Sequence, residues 1–409
     1  MSKKKWLDSS RKLSAPVTLA AVILVAVGSL STAAIAVESS GGVTPQHPQA
    51  PSHTVVRWVV PRSQISAPIL PTAGGAAYGQ GGFNGVACPS ANECVAVGGD
   101  ASLNGVVSVT SNGGSTWTQG ETVSGSPALN SVACASTTSC VAVGNGAAAY
   151  SINGGVTWTT VSLPTADTSL LSVSCATSTS CVSVGVTPGN NGPLGGALLI
   201  TEDGGNTWKS PQLPAPYGAV GSVDCPSSTF CVAVGAQILV STDGGSTWSN
   251  RSVAGGTGVL RSVSCQSATT CVAIGPNPSV AQDSKAAAFE VVTSDGGATW
   301  HDVTLPPSSA TLDVIFCYSG GSCQADGSAL AGNAAPTLAS TSVGSTWSTV
   351  ATLNTEMSAV SAVSCGSATT CVYVGSNSSG PVIVASSGGV AAPPAPVSAL
   401  VRRQKIDRR

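Results

Sequence analysis

Between residues 84 and 390 the chain is built from one unit used seven times, and a repeat this dominant restricts the fold more than any single residue does. Residues 222–248, SVDCPSSTFCVAVGAQILVSTDGGSTW, show the unit in full. It has a cysteine, five residues, a second cysteine, the apolar alternation VAVG, another strand-like run and a Thr-Asp-Gly-Gly-Ser-Thr-Trp turn. Any fold proposed for the chain has to place seven copies of this pattern equivalently.

The cysteines fall as Cys88/Cys94, Cys134/Cys140, Cys175/Cys181, Cys225/Cys231, Cys265/Cys271, Cys317/Cys323 and Cys365/Cys371, always with five residues between them. In each unit a short strand ends at the first cysteine, a polar turn follows, and a second strand starts at the other. Residues facing one another across an antiparallel hairpin satisfy disulfide geometry, so each pair is expected to staple the first two strands together. The chain-entropy gain for so small a loop is about 2 kcal/mol per bridge. That matters in units with few large apolar residues. A zinc site needs matched Cys or His pairs, whereas His47, His53 and His301 are scattered. No metal and no cofactor is expected.

A third strand then leads into the turn, as in TSNGGSTW at 110–117, TEDGGNTW at 201–208 and TSDGGATW at 293–300. Asp or Asn bonds the backbone around the turn, the glycines allow positive φ, and the tryptophan opens a fourth strand with a large apolar contact. Trp117, Trp158, Trp208, Trp248, Trp300 and Trp347 hold this place in six units. Each tryptophan stands 17 residues before the next first cysteine, or 18 from Trp347, while the distance from first cysteine to tryptophan runs from 23 to 35. Length varies only between the second and third strands. The fold class is therefore all-β, a seven-bladed β-propeller of four-stranded blades with one disulfide hairpin per blade. The seventh unit stops without its tryptophan, and the orphan strand 55–61, VVRWVVP, is expected to complete that blade and close the ring at residues 55–390.

Charge is segregated. The first twelve residues carry a net +4 and the last eight another +4, which leaves about −10 on the body. An acidic body argues against nucleic acid, where phosphate neutralisation supplies most of the affinity. Residues 14–37 are uncharged, follow the basic cluster and end in Ala34-Ile35-Ala36, so residues 1–37 read as a signal peptide or a retained signal anchor. Fourteen cysteines agree with an extracytoplasmic address, secreted or held on the outer face of the membrane. Residues 38–54 read as a disordered linker and 391–409 as a Pro-rich, basic tail. Membrane contact is expected only through the N-terminal segment or that tail.

The S-x-D-G-G-x-T-W turns resemble the Asp-box (BNR-like) motif of bacterial sialidases, sortilin-type receptors, xyloglucan-degrading hydrolases and the photosystem II stability and assembly factor family. The run CVAVGAQILVSTDGGSTW looks most like the repeat of that last family. The cysteine pair in every unit departs from it, as do Asn112, Asn153 and Val343 at the acidic position. The resemblance implies a propeller, and it implies no single activity because these families share the turn while doing different things.

Asp203, Asp243 and Asp295 each sit in the turn of their own unit, so they are expected to be structural, as are the tryptophans. A sialidase-like site would need an arginine trio, and the body offers only Arg57, Arg62, Arg251 and Arg261. A glycosidase needs two facing carboxylates, and the remaining aspartates, Asp224 among them, are scattered singly over the units. Four residues before each first cysteine, where the inner strand should enter from the variable-loop face, stand Asn84, Asn130, Leu171, Gly221, Arg261, Asp313 and Ser361. Asn84, Asn130, Arg261 and Asp313 are the expected binding residues at the channel mouth, with Arg261 and Asp313 in adjoining units equally readable as a structural ion pair. The resulting expectation is an exported, monomeric, non-catalytic scaffold, assembly-factor-like, for a protein or cell-surface glycan partner. The alternatives are an Asp-box glycosidase of sialidase or xyloglucanase type and a sortilin-like peptide receptor.

Overall fold

A computed structural model describes residues 82–387 of the protein, apart from 119, 166–167, 189–194, 212, 214–217, 253–257, 277–287, 304, 306–309, 319–320, 330–336, 341–342, 344–346, 351–356, 368–369 and 378–379. The export segment 1–37, the linker 38–54, the strand 55–61 expected to close the ring and the tail 391–409 lie outside the described residues.

Every described element is a strand, and within each cysteine unit successive strands pair antiparallel. The first sheet contains β1 (Gly82–Ala87), β2 (Cys94–Gly99), β3 (Asn104–Thr110) and β4 (Glu121–Pro127). The second contains β5 (Leu129–Cys134), β6 (Cys140–Gly144), β7 (Ala147–Ser151) and β8 (Thr159–Ser162). The third has β9 (Ser169–Cys175), β10 (Cys181–Thr187) and β11 (Gly195–Thr201). The fourth has β12 (Val220–Asp224), β13 (Cys231–Gly235), β14 (Ile238–Ser241) and β15 (Ser249–Arg251). The fifth has β16 (Ser262–Cys265), β17 (Cys271–Pro276), β18 (Ala288–Thr293) and β19 (His301–Val303). The remaining strands form one seven-stranded sheet: β20 (Ala310–Cys317), β21 (Cys323–Ala329), β22 (Thr337–Ser340), β23 (Trp347–Val350), β24 (Ala359–Ser367), β25 (Thr370–Asn377) and β26 (Gly380–Ser387).

The protein is an all-β β-propeller with six hydrogen-bonded sheets, which corrects the expectation of seven separate four-stranded ones. The last two cysteine hairpins share a sheet because Ser328, near the end of β21, pairs with Ala359 at the start of β24. In the third sheet a single bridge between Ile200 and Lys209 stands in place of a fourth strand.

All seven expected cysteine pairs are disulfides, with Cα atoms 3.9 to 4.1 Å apart. The alternation after the second cysteine explains why the second strand is buried on both faces. On β6, Val141 and Val143 join the core shared with the third sheet, whereas Cys140 and Ala142 join the core shared with the first. Each fully buried valine contributes about 1.5–3 kcal/mol. Every unit thus needs both neighbours.

Side-chain hydroxyls link the inner strands of successive units. The amides of Val173, Val223, Val263 and Ile315 donate to Ser131, Ser172, Ser222 and Ser262 at 3.1 to 3.2 Å. One step further along the strands, the amides of Cys225 and Cys317 donate to Ser174 and Ser264 at 3.0 Å. The same bond closes the ring, from the Cys88 amide to Ser364 Oγ at 3.0 Å. Phe83, Val86 and Cys94 of the first unit pack with Val372, Val374 and Ile383 of the last, with Trp117 against them. First and last units therefore meet as any two neighbours do.

Candidate functional site

Six inner strands carry a β-bulge at the same place. The pairing register skips Asn84, Asn130, Leu171, Gly221, Asp313 and Ser361, each four residues before its cysteine. At the seventh, Arg261 donates its amide to Ile274 O at 2.7 Å just before β16 begins. A bulge turns one residue out of the ladder and re-aims its side chain. Asn84 Nδ2 donates to Leu129 O of the next unit at 2.9 Å, and Asn130 Nδ2 to Leu170 O at 2.8 Å. Arg261 Nη1 forms an ion pair with Asp313 Oδ1. The expected mouth residues thus meet their neighbours in adjacent units, mostly through hydrogen bonds the fold itself uses.

The bulges also account for the glycine of CVAVG. A Cβ at Gly144 would lie 2.2 Å from Ala128 O, and one at Gly235 would lie 2.2 Å from Ala219 O. The bulged backbone presses against the second strand there, and only glycine leaves room.

The cavity lies elsewhere along the same strands. A space of about 330 Å³ is lined by residues from β1, β5, β9, β12, β16, β20 and β24, taken from the last few positions up to the first cysteine. Asn84, Asn130, Arg261 and Asp313 are not among its lining residues. Valines two residues before the cysteine, such as Val132, Val223 and Val263, belong to the core on one side of their unit, and strand alternation turns the residue after each to the other side, where Ala87, Ala133 and Phe316 pack beside the opposite cores while also lining the channel. Ser174, Asp224 and Ser264 supply a polar wall from three successive strands, and Phe316, Ala87 and Ala133 supply apolar groups on the other side, with Ser364 between Phe316 and Ala87.

Asp224 is the one ionisable side chain lining this cavity among the described residues. Its Oδ2 accepts the Cys265 amide at 2.7 Å and its Oδ1 the Ser174 hydroxyl at 3.4 Å. Enclosure pushes the carboxyl up to about 6, and these donors only partly offset that. Reading the sequence for mouth residues passed over Asp224. The available signal was alignment of the residue before each first cysteine, where it is the one charged residue among alanines, serines and a phenylalanine.

The turn aspartates stay in their turns. Asp203 accepts from the Thr201 hydroxyl, the Thr207 amide and the Thr207 hydroxyl at 2.8, 2.8 and 2.6 Å, and Asp243 and Asp295 repeat the pattern. The Thr299 hydroxyl and amide, with the Thr293 hydroxyl, hold Asp295 down at about 2. Asn112 and Asn153 make the corresponding bonds through Oδ1 and Nδ2. The first turn glycine bonds back to the cysteine hairpin of its own unit, as Gly244 N does to Thr229 O at 2.8 Å. Turns and hairpins therefore share one end of each unit. Trp208, Trp248, Trp300 and Trp347 are buried, each packed on the preceding unit, and Trp117 and Trp158 are half-buried.

Buried polar groups also lie outside these patterns. Glu290 on β18 is fully buried, with neither carboxyl oxygen hydrogen-bonded. Between β21 and β25, Gln324 Nε2 donates to Asp326 Oδ2 at 2.8 Å and to the Tyr373 hydroxyl at 2.7 Å. The Tyr318 hydroxyl donates to Gln324 Oε1 at 3.3 Å and lies 3.2 and 3.1 Å from the sulfurs of Cys365 and Cys371. Burial, reinforced by the charge of Asp326, pushes Tyr318 up to about 12. Among the described residues no three His, Cys, Asp or Glu side chains converge as a metal site, and no helix is long and apolar enough to cross a membrane.

No family model and no curated protein matches the chain. Solved structures do match it. YCF48 from Cyanidioschyzon merolae is similar over 79% of this chain and 98% of its own, at 15% identity and a TM-score of 0.54. U3-55K matches over 80% of this chain and 99% of its own, at 9% identity and a TM-score of 0.56. An ancestral GH74 enzyme matches over 75% of this chain and 46% of its own, at 13% identity and a TM-score of 0.55. At such identities the likeness is one of fold alone, and the fold is the β-propeller.

Proposed function

We propose that the chain is an exported, non-catalytic scaffold that binds a protein or glycan partner, a β-propeller built on seven cysteine hairpins. The observation that carries this reading is the cavity, to which all seven inner strands contribute and in which one carboxylate is the sole ionisable group among the described residues. Glycoside hydrolysis by the usual route needs two carboxylates across the scissile bond. On this reading the T-D-G-G-x-T-W turns are Asp boxes that brace the outer strands, and strand 55–61 completes the last blade. Seven disulfides suit an oxidising compartment, consistent with a signal peptide or anchor at residues 1–37. The mouth residues Asn84, Asn130, Arg261 and Asp313 offer amides and charges to a partner's rim. The chain works as a monomer, with the N-terminal segment or basic tail as its membrane contact.

A glycan array and a fluorogenic glycoside panel on the purified chain test this reading. Binding or silence without turnover is the expected result. Turnover that disappears on replacing a mouth or channel carboxylate would replace the scaffold with a hydrolase.

A further inference from the structure

The residue before the first cysteine does the same structural job in four units. The amides of Cys225, Cys317 and Cys88 donate to the hydroxyls of Ser174, Ser264 and Ser364, each at 3.0 Å, and the Cys265 amide donates to Asp224 Oδ2 at 2.7 Å. A hydroxyl is sufficient for that bond. Asp224 therefore brings into the channel a charge that inter-strand bonding does not require, its second oxygen being met only by the Ser174 hydroxyl at 3.4 Å. An enclosed carboxylate is costly unless a cation meets it. None is supplied locally: β9, β10, β11, β13 and β16, which pack against β12, carry no basic side chain and no other titratable one, their cysteines being disulfides.

The chemistry of the walls selects among cations. Calcium takes six to eight oxygen ligands, and this wall offers one carboxylate and a few hydroxyls. A guanidinium pairs best with both oxygens of a carboxylate, but Oδ2 is already held by the Cys265 amide. An ammonium group is a compact charge that needs only a few acceptors. The Ala87, Ala133 and Phe316 wall suits an alkyl stem.

We propose that the channel is a binding site for a protonated primary amine on an unbranched alkyl stem, with the ammonium on Asp224 between Ser174 and Ser264 and the stem along Ala87, Ala133 and Phe316. The source is a lysine side chain of a protein partner or a free alkylamine. The proposal deepens the scaffold reading and rests on it.

The test uses the full chain and Asp224→Ser, which keeps the inter-strand acceptor found in the neighbouring units. Titration calorimetry with n-butylammonium chloride, against sodium chloride at equal ionic strength, is expected to show saturable binding to the natural chain and at least tenfold weaker binding to the variant, with melting temperature and disulfides retained. N-acetyl-lysine methylamide separates the sources: binding of both probes supports a lysine side chain, and of butylammonium alone a free amine. If the variant does not fold, the pH profile of the natural chain decides, because binding should be lost as pH falls through about 6 while the amine stays charged. No saturable binding to the natural chain, equal binding by Asp224→Ser, or a flat pH profile would overturn the proposal and leave the scaffold reading standing. Glycoside turnover would overturn the scaffold reading whatever the amine titration shows.

Discussion

Replacing Glu290 with isoleucine should stabilise the protein, by an amount that depends on pH. Glu290 faces Ile274 across β17 and β18, on the side where Ile274 packs with Leu312, Leu338 and Trp347. The same register position is aliphatic in other units, as at Ile238 opposite Val234, Leu198 opposite Val184 and Ile383 opposite Val374. Isoleucine therefore fits the site. Burial pushes the Glu290 carboxyl from 4.5 up to about 8. The unfolded chain thus releases this proton first, and stability falls as pH rises from about 4.5 to about 8, then levels. At roughly 1.4 kcal/mol per pH unit, the loss accumulated by pH 7 is about 3 kcal/mol. Guanidinium titrations of both proteins with disulfides intact, at several pH values across that window, read the difference directly. The gap should be smallest at the acid end and widen by about 3 kcal/mol on going to neutrality. Asp224, raised to about 6, pulls stability in the same direction over a narrower window but is common to both proteins and cancels. A gap that does not change with pH, or a destabilised variant at neutrality, would refute the account of Glu290 as an uncompensated buried acid.

Three further outcomes are expected. Gly235→Ala places a Cβ 2.2 Å from Ala219 O and 2.8 Å from Val220 Cα, both backbone atoms that no rotamer change moves, so denaturant titration should show a loss of about 1–3 kcal/mol. Tyr373→Phe removes the hydroxyl that Gln324 Nε2 reaches at 2.7 Å inside a fully buried group, and should cost about 1–3 kcal/mol by the same measurement. Deleting residues 55–61 should lower the melting temperature of the whole propeller by several degrees if that strand completes the last blade; an unchanged melting temperature would rule the strand out.

Much of the scaffold was legible because its determinants are local. A cysteine pair six positions apart, an apolar alternation and a turn with two glycines each specify their geometry within a few residues. Disulfides, hairpins and tryptophan turns accordingly stand where the pattern places them. The positions of Asn84, Asn130, Arg261 and Asp313 were legible too, but the bulge that makes them special was not. A bulge is decided by how two strands share one ladder, and its only local trace is the glycine across from it.

By itself, then, the sequence determined the repeat, its antiparallel strand order and its stapled hairpins, since each rests on contacts a few residues long. Only the tertiary structure decided which residues share the channel, that Ser328 and Ala359 join two hairpins into one sheet, that Glu290 is shut between units, and that Asp224 is the one ionisable side chain lining the cavity among the described residues. The physical reason is distance along the chain. Those facts depend on inner strands some forty to fifty residues apart meeting around one axis, and on the first unit packing against the last, where Ser364 accepts the amide of Cys88.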